Sequence, residues 1–186
     1  MTLAPPRTRM VVQLREGRFH ERANRITIRH HLGEVVSVIE VVSPGNKSGK
    51  LAVREFVTKA VDFLKRGVNL LIVDPFPPGP QDPQSLHKLI WDEFDEDVPF
   101  ELPADEPLLL VSYRAAAPLV EFAPEAFIEP LRVGAEQPDM PAWLDPDLYV
   151  NAPLEKTYMA AWEVCPADFR YFVEHGTPPE ENPTSA

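Results

Sequence analysis

Glu40 sits inside the apolar run VVSVIEVVSPGNK, between valines and isoleucine, with Lys59 further along in VREFVTKAVDF. A carboxylate enclosed by aliphatic side chains costs several kcal/mol unless it is paired, hydrogen-bonded or bound to a cation. Two kinds of partner are therefore open. Glu40 accepts bonds from Asn46, Lys47 or an arginine of a neighbouring strand, or it holds a divalent ion. With a metal, the pairing of strand carboxylate and helix lysine is a phosphoryl-transfer arrangement. The ion activates water and the ammonium of Lys59 stabilises developing negative charge.

The loop that follows, SPGNKSGK, has the strand–loop–helix setting of a phosphate cradle but not its spacing. Gly45 and Gly49 are separated by three residues, where the nucleotide-binding loop has four, and Leu51 follows Lys50 where a hydroxyl should meet magnesium. The loop is read as a turn in which Asn46 and Lys47 orient the chain or a phosphate. Other reactive side chains lack partners at motif spacing. His30 and His31 are neighbours in an expected strand and so point to opposite faces, and His20, His87 and His175 are isolated and read as surface residues. Ser43, Ser112 and Cys165 have no histidine at a recognisable distance, and Trp143, Tyr149, Tyr158 and Trp162 read as a packing cluster.

The elements that must position Glu40 and Lys59 follow from periodicity. Arg25 to His30 alternates as a half-buried strand, and HLGE at 31–34 turns the chain into a long strand from Val35 to Val42. Val53, Phe56, Val57, Ala60, Val61 and Leu64 fall on one helical face within a helix from Leu51 to Arg66, capped near Ser48 and stopped by Gly67. Lys59 lies on the flank of that face, beside Phe56 and Phe63. Leu70 to Val73 is then a buried strand, which completes a β-α-β crossover.

Further on, Asp82-Pro83 is read as the start of a short helix to Phe94, and residues 92–106 form an acidic loop. Leu108 to Arg114 and Leu119 to Phe122 are read as a strand pair, as Val11 to Leu14 is read as a short strand. The prolines between Pro124 and Pro153 are expected to prevent long regular elements, and Leu154 to Val164 and Ala167 to His175 read as helices. The expected architecture is an α/β domain over residues 1–175, a mixed sheet with flanking helices and a proline-rich C-terminal extension, with residues 176–186 as a disordered tail.

Composition narrows the class. With 186 residues, one cysteine and 44% hydrophobic residues, the chain suits a single globular core without an internal disulfide or a thiolate zinc cluster. Twenty-two prolines against eight glycines predict extended connections. Neither a signal-peptide pattern nor a membrane-length apolar run is present, and a cytoplasmic protein is the expectation. The net charge of −11 is unevenly spread: residues 1–75 carry +6 and residues 76–186 carry −17. The basic N-terminal part could attract nucleic acid, or the two parts could face each other.

The run VVSVIEVVSPGNK, the later Lys59 and Gly67, and the strand GVNLLIVD ending in Asp74 resemble an uncharacterised bacterial family, domain of unknown function family 4058. The likeness spans roughly residues 10–175, including PLRVGAEQPDMPAWLDPDLYVNAPLEKTYMAAW, and a more distant one reaches the restriction-endonuclease-like family numbered 820. The resemblance implies a PD-(D/E)XK restriction-endonuclease-like core, with this chain lacking an N-terminal part of the family fold. It implies Glu40 as catalytic residue and metal ligand for Mg²⁺ or Mn²⁺. Because Val42 occupies the lysine position of the E-x-K motif, Lys59 would be the catalytic lysine, as in the restriction-like relatives. The strand before offers Thr27 at its centre, which leaves Glu21 as second ligand, with Glu34 also nearby. The function implied is a metal-dependent phosphodiesterase acting on nucleic acid, with Asn46 and Lys47 at the substrate. The alternative is a catalytically inactive interaction module on the same fold.

Overall fold

The computed structural model describes residues 24–115 and 124–177. The expected strands at 11–14 and 119–122, the tail from residue 178, His20 and Glu21 lie outside them.

Strand β1 (Arg25–Arg29) and strand β2 (Val35–Val41) form the expected antiparallel hairpin, turning at Gly33 with φ +93°. Helix α1 (Lys50–Lys65) then carries the chain to β3 (Asn69–Asp74), parallel to β2. The six apolar positions read from periodicity are the six that α1 buries. Gly67 ends the helix at φ +76°, with its N–H donating to Leu64 O and the Val68 N–H to Phe63 O. Those bonds are the Schellman pattern that a left-handed glycine permits. At the other end Gly49, not Ser48, is the capping residue; the Ser48 hydroxyl turns back to Gly45 O.

Strand β4 (Leu108–Arg114) runs antiparallel to β3, and β5 (Glu125–Leu131) closes a five-stranded mixed sheet of order β1-β2-β3-β4-β5. One face carries Val38, Val42, Leu70, Ile72, Leu109, Val111 and Tyr113 under α1 and helix α2 (Ser85–Asp92). On the other, Leu71 and Leu110 meet Met140 of β6 (Met140–Asp145), which pairs with β7 (Leu148–Ala152) in a separate two-stranded ladder. Helices α3 (Leu154–Glu163) and α4 (Ala167–His175) follow.

The stretch after Pro124 holds no long element, but three short strands form there that the sequence reading did not assign. Pro130 is tolerated because β5 is a sheet edge, and Pro141 because β6 belongs to a two-stranded ladder. Helix α2 begins two residues later than the Asp82-Pro83 pattern implied, and His87 is buried rather than on the surface. Its Nδ1 lies 2.7 Å from the Tyr113 hydroxyl, its ring packs edge-on to Phe100, and burial lowers its pKa to about 4. His30 and His31 fall in the turn rather than the strand, so their rings meet at 3.9 Å instead of diverging. Among the described residues no helix is long and apolar enough to cross a membrane.

Candidate functional site

The hairpin register sets Arg25 directly opposite Glu40, and the crossover lays α1 over the same face of β2. Glu40 is therefore approached from two sides. Arg25 Nε donates to Glu40 Oε2 at 2.9 Å and Nη2 reaches Oε1 at 3.4 Å, while Lys59 Nζ donates to Oε1 at 2.9 Å. The glutamate side chain is 5% exposed, against 30% for Arg25 and 29% for Lys59. Aromatic rings of α1 hold both cations in place: the Arg25 guanidinium lies over Phe63 at 5.4 Å and the Lys59 ammonium over Phe56 at 4.9 Å. Lys59 runs its stem along apolar surface and keeps its head at the rim, as its flank position requires.

So Glu40 and Lys59 meet. The partner set of Glu40 is an arginine of the neighbouring strand together with that lysine, two positive charges around one carboxylate. The residue that the register places opposite the carboxylate is itself a cation. Among the described residues no group of three or more His, Cys, Asp or Glu side chains is arranged to hold a metal ion.

Asn46 and Lys47 go elsewhere. A short 3-10 turn, Pro44–Lys47, follows β2, and Asn46 Oδ1 accepts from the Ser43 N–H at 2.8 Å and from its hydroxyl at 2.9 Å. The Asn46 side-chain oxygen is thus spent inside the turn. Lys47 enters a second charged cluster at the carboxyl ends of the parallel strands. Its Nζ lies 2.8 Å from Asp74 Oδ2 and 3.0 Å from Asp82 Oδ2, and donates to Phe76 O at 2.8 Å and Pro77 O at 3.3 Å. The contact with Asp82 Oδ2 is ionic without the alignment of a hydrogen bond. Asp82 Oδ1 accepts from the Gly79 N–H at 2.8 Å, a close approach that leaves 3.2 Å for a β-carbon at Gly79. Burial raises the Asp74 pKa, as does the charge of Asp82, whereas Lys47 and the Phe76 N–H act in the opposite direction.

Sequence reasoning did not assign this second cluster. Its signal was an apolar strand ending in an aspartate, NLLIVD, beside a lysine in the preceding turn. Of the aromatic residues expected to pack, Trp143 does, against Phe127 at 5.2 Å, Tyr149 at 4.9 Å and the Arg114 guanidinium at 5.1 Å. Tyr158 is instead 54% exposed on α3. Ser112 donates to Pro141 O, which ties β4 to β6.

Compared with protein-family models, with curated proteins and with solved structures, the chain gives no match.

Proposed function

We propose that this chain is a non-catalytic interaction module built on a nuclease-like core, in which the metal-ligand position has become a structural ion triad. The observation that carries the reading is the company of Glu40: Arg25 and Lys59 both contact its carboxylate at 2.9 Å. Among the described residues, a divalent ion approaching Glu40 would meet two positive charges and no acidic cluster to hold it. The same triad explains why a glutamate is tolerated under α1, since a buried carboxylate is stable when charge-paired and hydrogen-bonded. Arg25 and Lys59 then act as anchors between sheet edge and helix, and Asn46 shapes the turn that starts α1.

Titration calorimetry of Mg²⁺ and Mn²⁺ into the wild type and Glu40→Gln, followed by cleavage assays on single- and double-stranded DNA and RNA, tests this. The expected outcome is no saturable heat and no cleavage with either ion. Saturable binding that disappears in Glu40→Gln, with metal-dependent cleavage by the wild type alone, would replace the reading with that of a phosphodiesterase using Glu40 and Lys59.

A further inference from the structure

Two parts of the surface are built as if to be covered, and nothing in the described chain covers either. The first is the α3–α4 arm. Neither helix buries a residue, and neither packs extensively on any other element; α3 is anchored at its first turn, where Leu154 joins the β6 cluster. Helices of 10 and 9 residues have little stability of their own. Yet the arm exposes seven large apolar side chains, among them Tyr158, Met159, Phe169 and Phe172, the last two at helical spacing with Val173. Exposed apolar surface of this extent on a folded chain marks an interaction site.

The second is an open groove of about 470 Å³ along the outer side of α1. Leu51, 69% exposed, and Phe63 provide its apolar surface, and Arg54, Lys59 and Arg66 outnumber the acids Glu55 and Asp62 along it. Lys59 is already matched by Glu40, but Arg25 is held at that carboxylate too, so the excess of positive charge persists. The arm has the opposite balance. Residues 154–177 carry Glu155, Glu163, Asp168 and Glu174 against Lys156 and Arg170.

We infer that a second copy of this chain covers both surfaces, the α3–α4 arm of each protomer lying in the α1 groove of the other. Apolar stripe meets apolar groove, and the acidic flanks of the arm meet the arginines of α1. The size is sufficient. A specific interface takes about 800 Å² from each partner, and aromatic side chains bring about 150–250 Å² each when fully covered. Four partly exposed aromatic residues on the arm, with Met159, Val164 and Val173, approach that scale at each of two reciprocal contacts. The exchange is isologous and closes on itself, as a two-fold dimer must. It rests on the interaction-module reading only in giving that module its partner, and metal titration bears on the one as mass measurement bears on the other.

Light scattering after size exclusion, across a concentration series of the full chain, tests the inference. The expected species has twice the 21.0 kDa mass of the chain. Phe169→Asp/Phe172→Asp on the arm and Arg54→Glu/Arg66→Glu in the groove replace exposed side chains, and circular dichroism checks that each variant is folded. Each should be monomeric alone. Mixing the two should restore dimers, because one intact arm still finds one intact groove. A wild type that stays monomeric throughout the series overturns the inference. So does a dimer indifferent to the groove variant, or a mixture that fails to recover.

Discussion

Two charged clusters lie under the same face of the sheet and differ in ratio and in access. Around Glu40 one carboxylate serves two cations, and both cations reach the protein rim, each with close to a third of its side chain exposed. Around Lys47 one ammonium serves two carboxylates, and nothing escapes: Lys47 is 9% exposed, Asp74 4% and Asp82 1%. The first joins elements that are already held, β1 to β2 by the backbone ladder and β2 to α1 by the shared core, and leaves positive charge beside the α1 groove. The second works where elements end. It ties the turn after β2 to the end of β3 and to the proline-rich loop before α2, through two ion pairs and two carbonyls on one nitrogen. A charge at a rim can be traded for water. A sealed one cannot, so the cluster without a proposed ligand-facing role is the one the fold depends on more.

Removing the central cation breaks the comparison most severely. Lys47→Met leaves Asp74 and Asp82 buried side by side without compensation, and the expected loss is about 3–5 kcal/mol, the scale of an orphaned buried charge. Urea unfolding at neutral pH measures it. Asp74 has a raised folded-state pKa, so in the interval above its ordinary value of 3.8 the folded chain holds more protons than the unfolded one. Stability from this group therefore falls as pH rises through that interval and is recovered on acidification. The Lys47→Met deficit should shrink as pH is lowered towards 4. Adding Asp74→Asn to Lys47→Met should recover part of the loss at neutral pH.

How much of this was legible follows the physics of each signal. The helix over Glu40 was, because six apolar residues at helical spacing leave one way to bury them, and β4 was bounded to the residue because an apolar run ended at a charge. The Glu40–Lys59 contact followed from a strand position and a helix flank. Arg25 stood among the alternatives as an arginine of the neighbouring strand, and only the hairpin register selected it. Strands β5, β6 and β7 were hidden because proline excludes a central strand but not an edge, and edge status is a property of the whole sheet. Asp82 was misread for a related reason. Its Asp-Pro pattern signals a helix start, while its carboxylate goes to Gly79 and to a lysine 35 positions earlier in the chain. Long-range pairing of charges has no period to betray it.

His87 sharpens the contrast, as a buried ionisable group outside both clusters, one with no counter-ion at hydrogen-bonding distance among the described residues. Its partner is the Tyr113 hydroxyl, and burial holds its pKa near 4, below the ordinary 6.5. Between those values the unfolded chain binds the proton that the folded chain refuses, so stability rises with pH through the window and falls on acidification. At about 1.4 kcal/mol per unit the swing approaches about 3 kcal/mol. His87→Gln, which cannot take up that proton, should remove this rising contribution, so that between pH 4 and 6.5 its urea-stability profile tilts downward with pH relative to the wild type. This slope opposes that of Asp74, so the double variant His87→Gln/Asp74→Asn should be flatter than either single variant.

The smallest single-site effects belong to the cluster around Glu40, and their smallness is what the comparison predicts. Glu40→Gln keeps the shape and removes the charge, and the stranded cations, Arg25 and Lys59, are near enough to solvent to hydrate. The expected loss is about 1–2 kcal/mol, between the values for an exposed pair and a charged buried hydrogen bond. Arg25→Met or Lys59→Met alone should cost less, about 1 kcal/mol, because the other cation still holds the carboxylate. Together they should cost more than their sum, because Glu40 then stays buried and unpaired. A double-mutant cycle read by urea unfolding reports that coupling. Additive losses would mean that Glu40 relaxes towards solvent when released, and the contrast between a rim cluster and a sealed one would then rest on Lys47 alone.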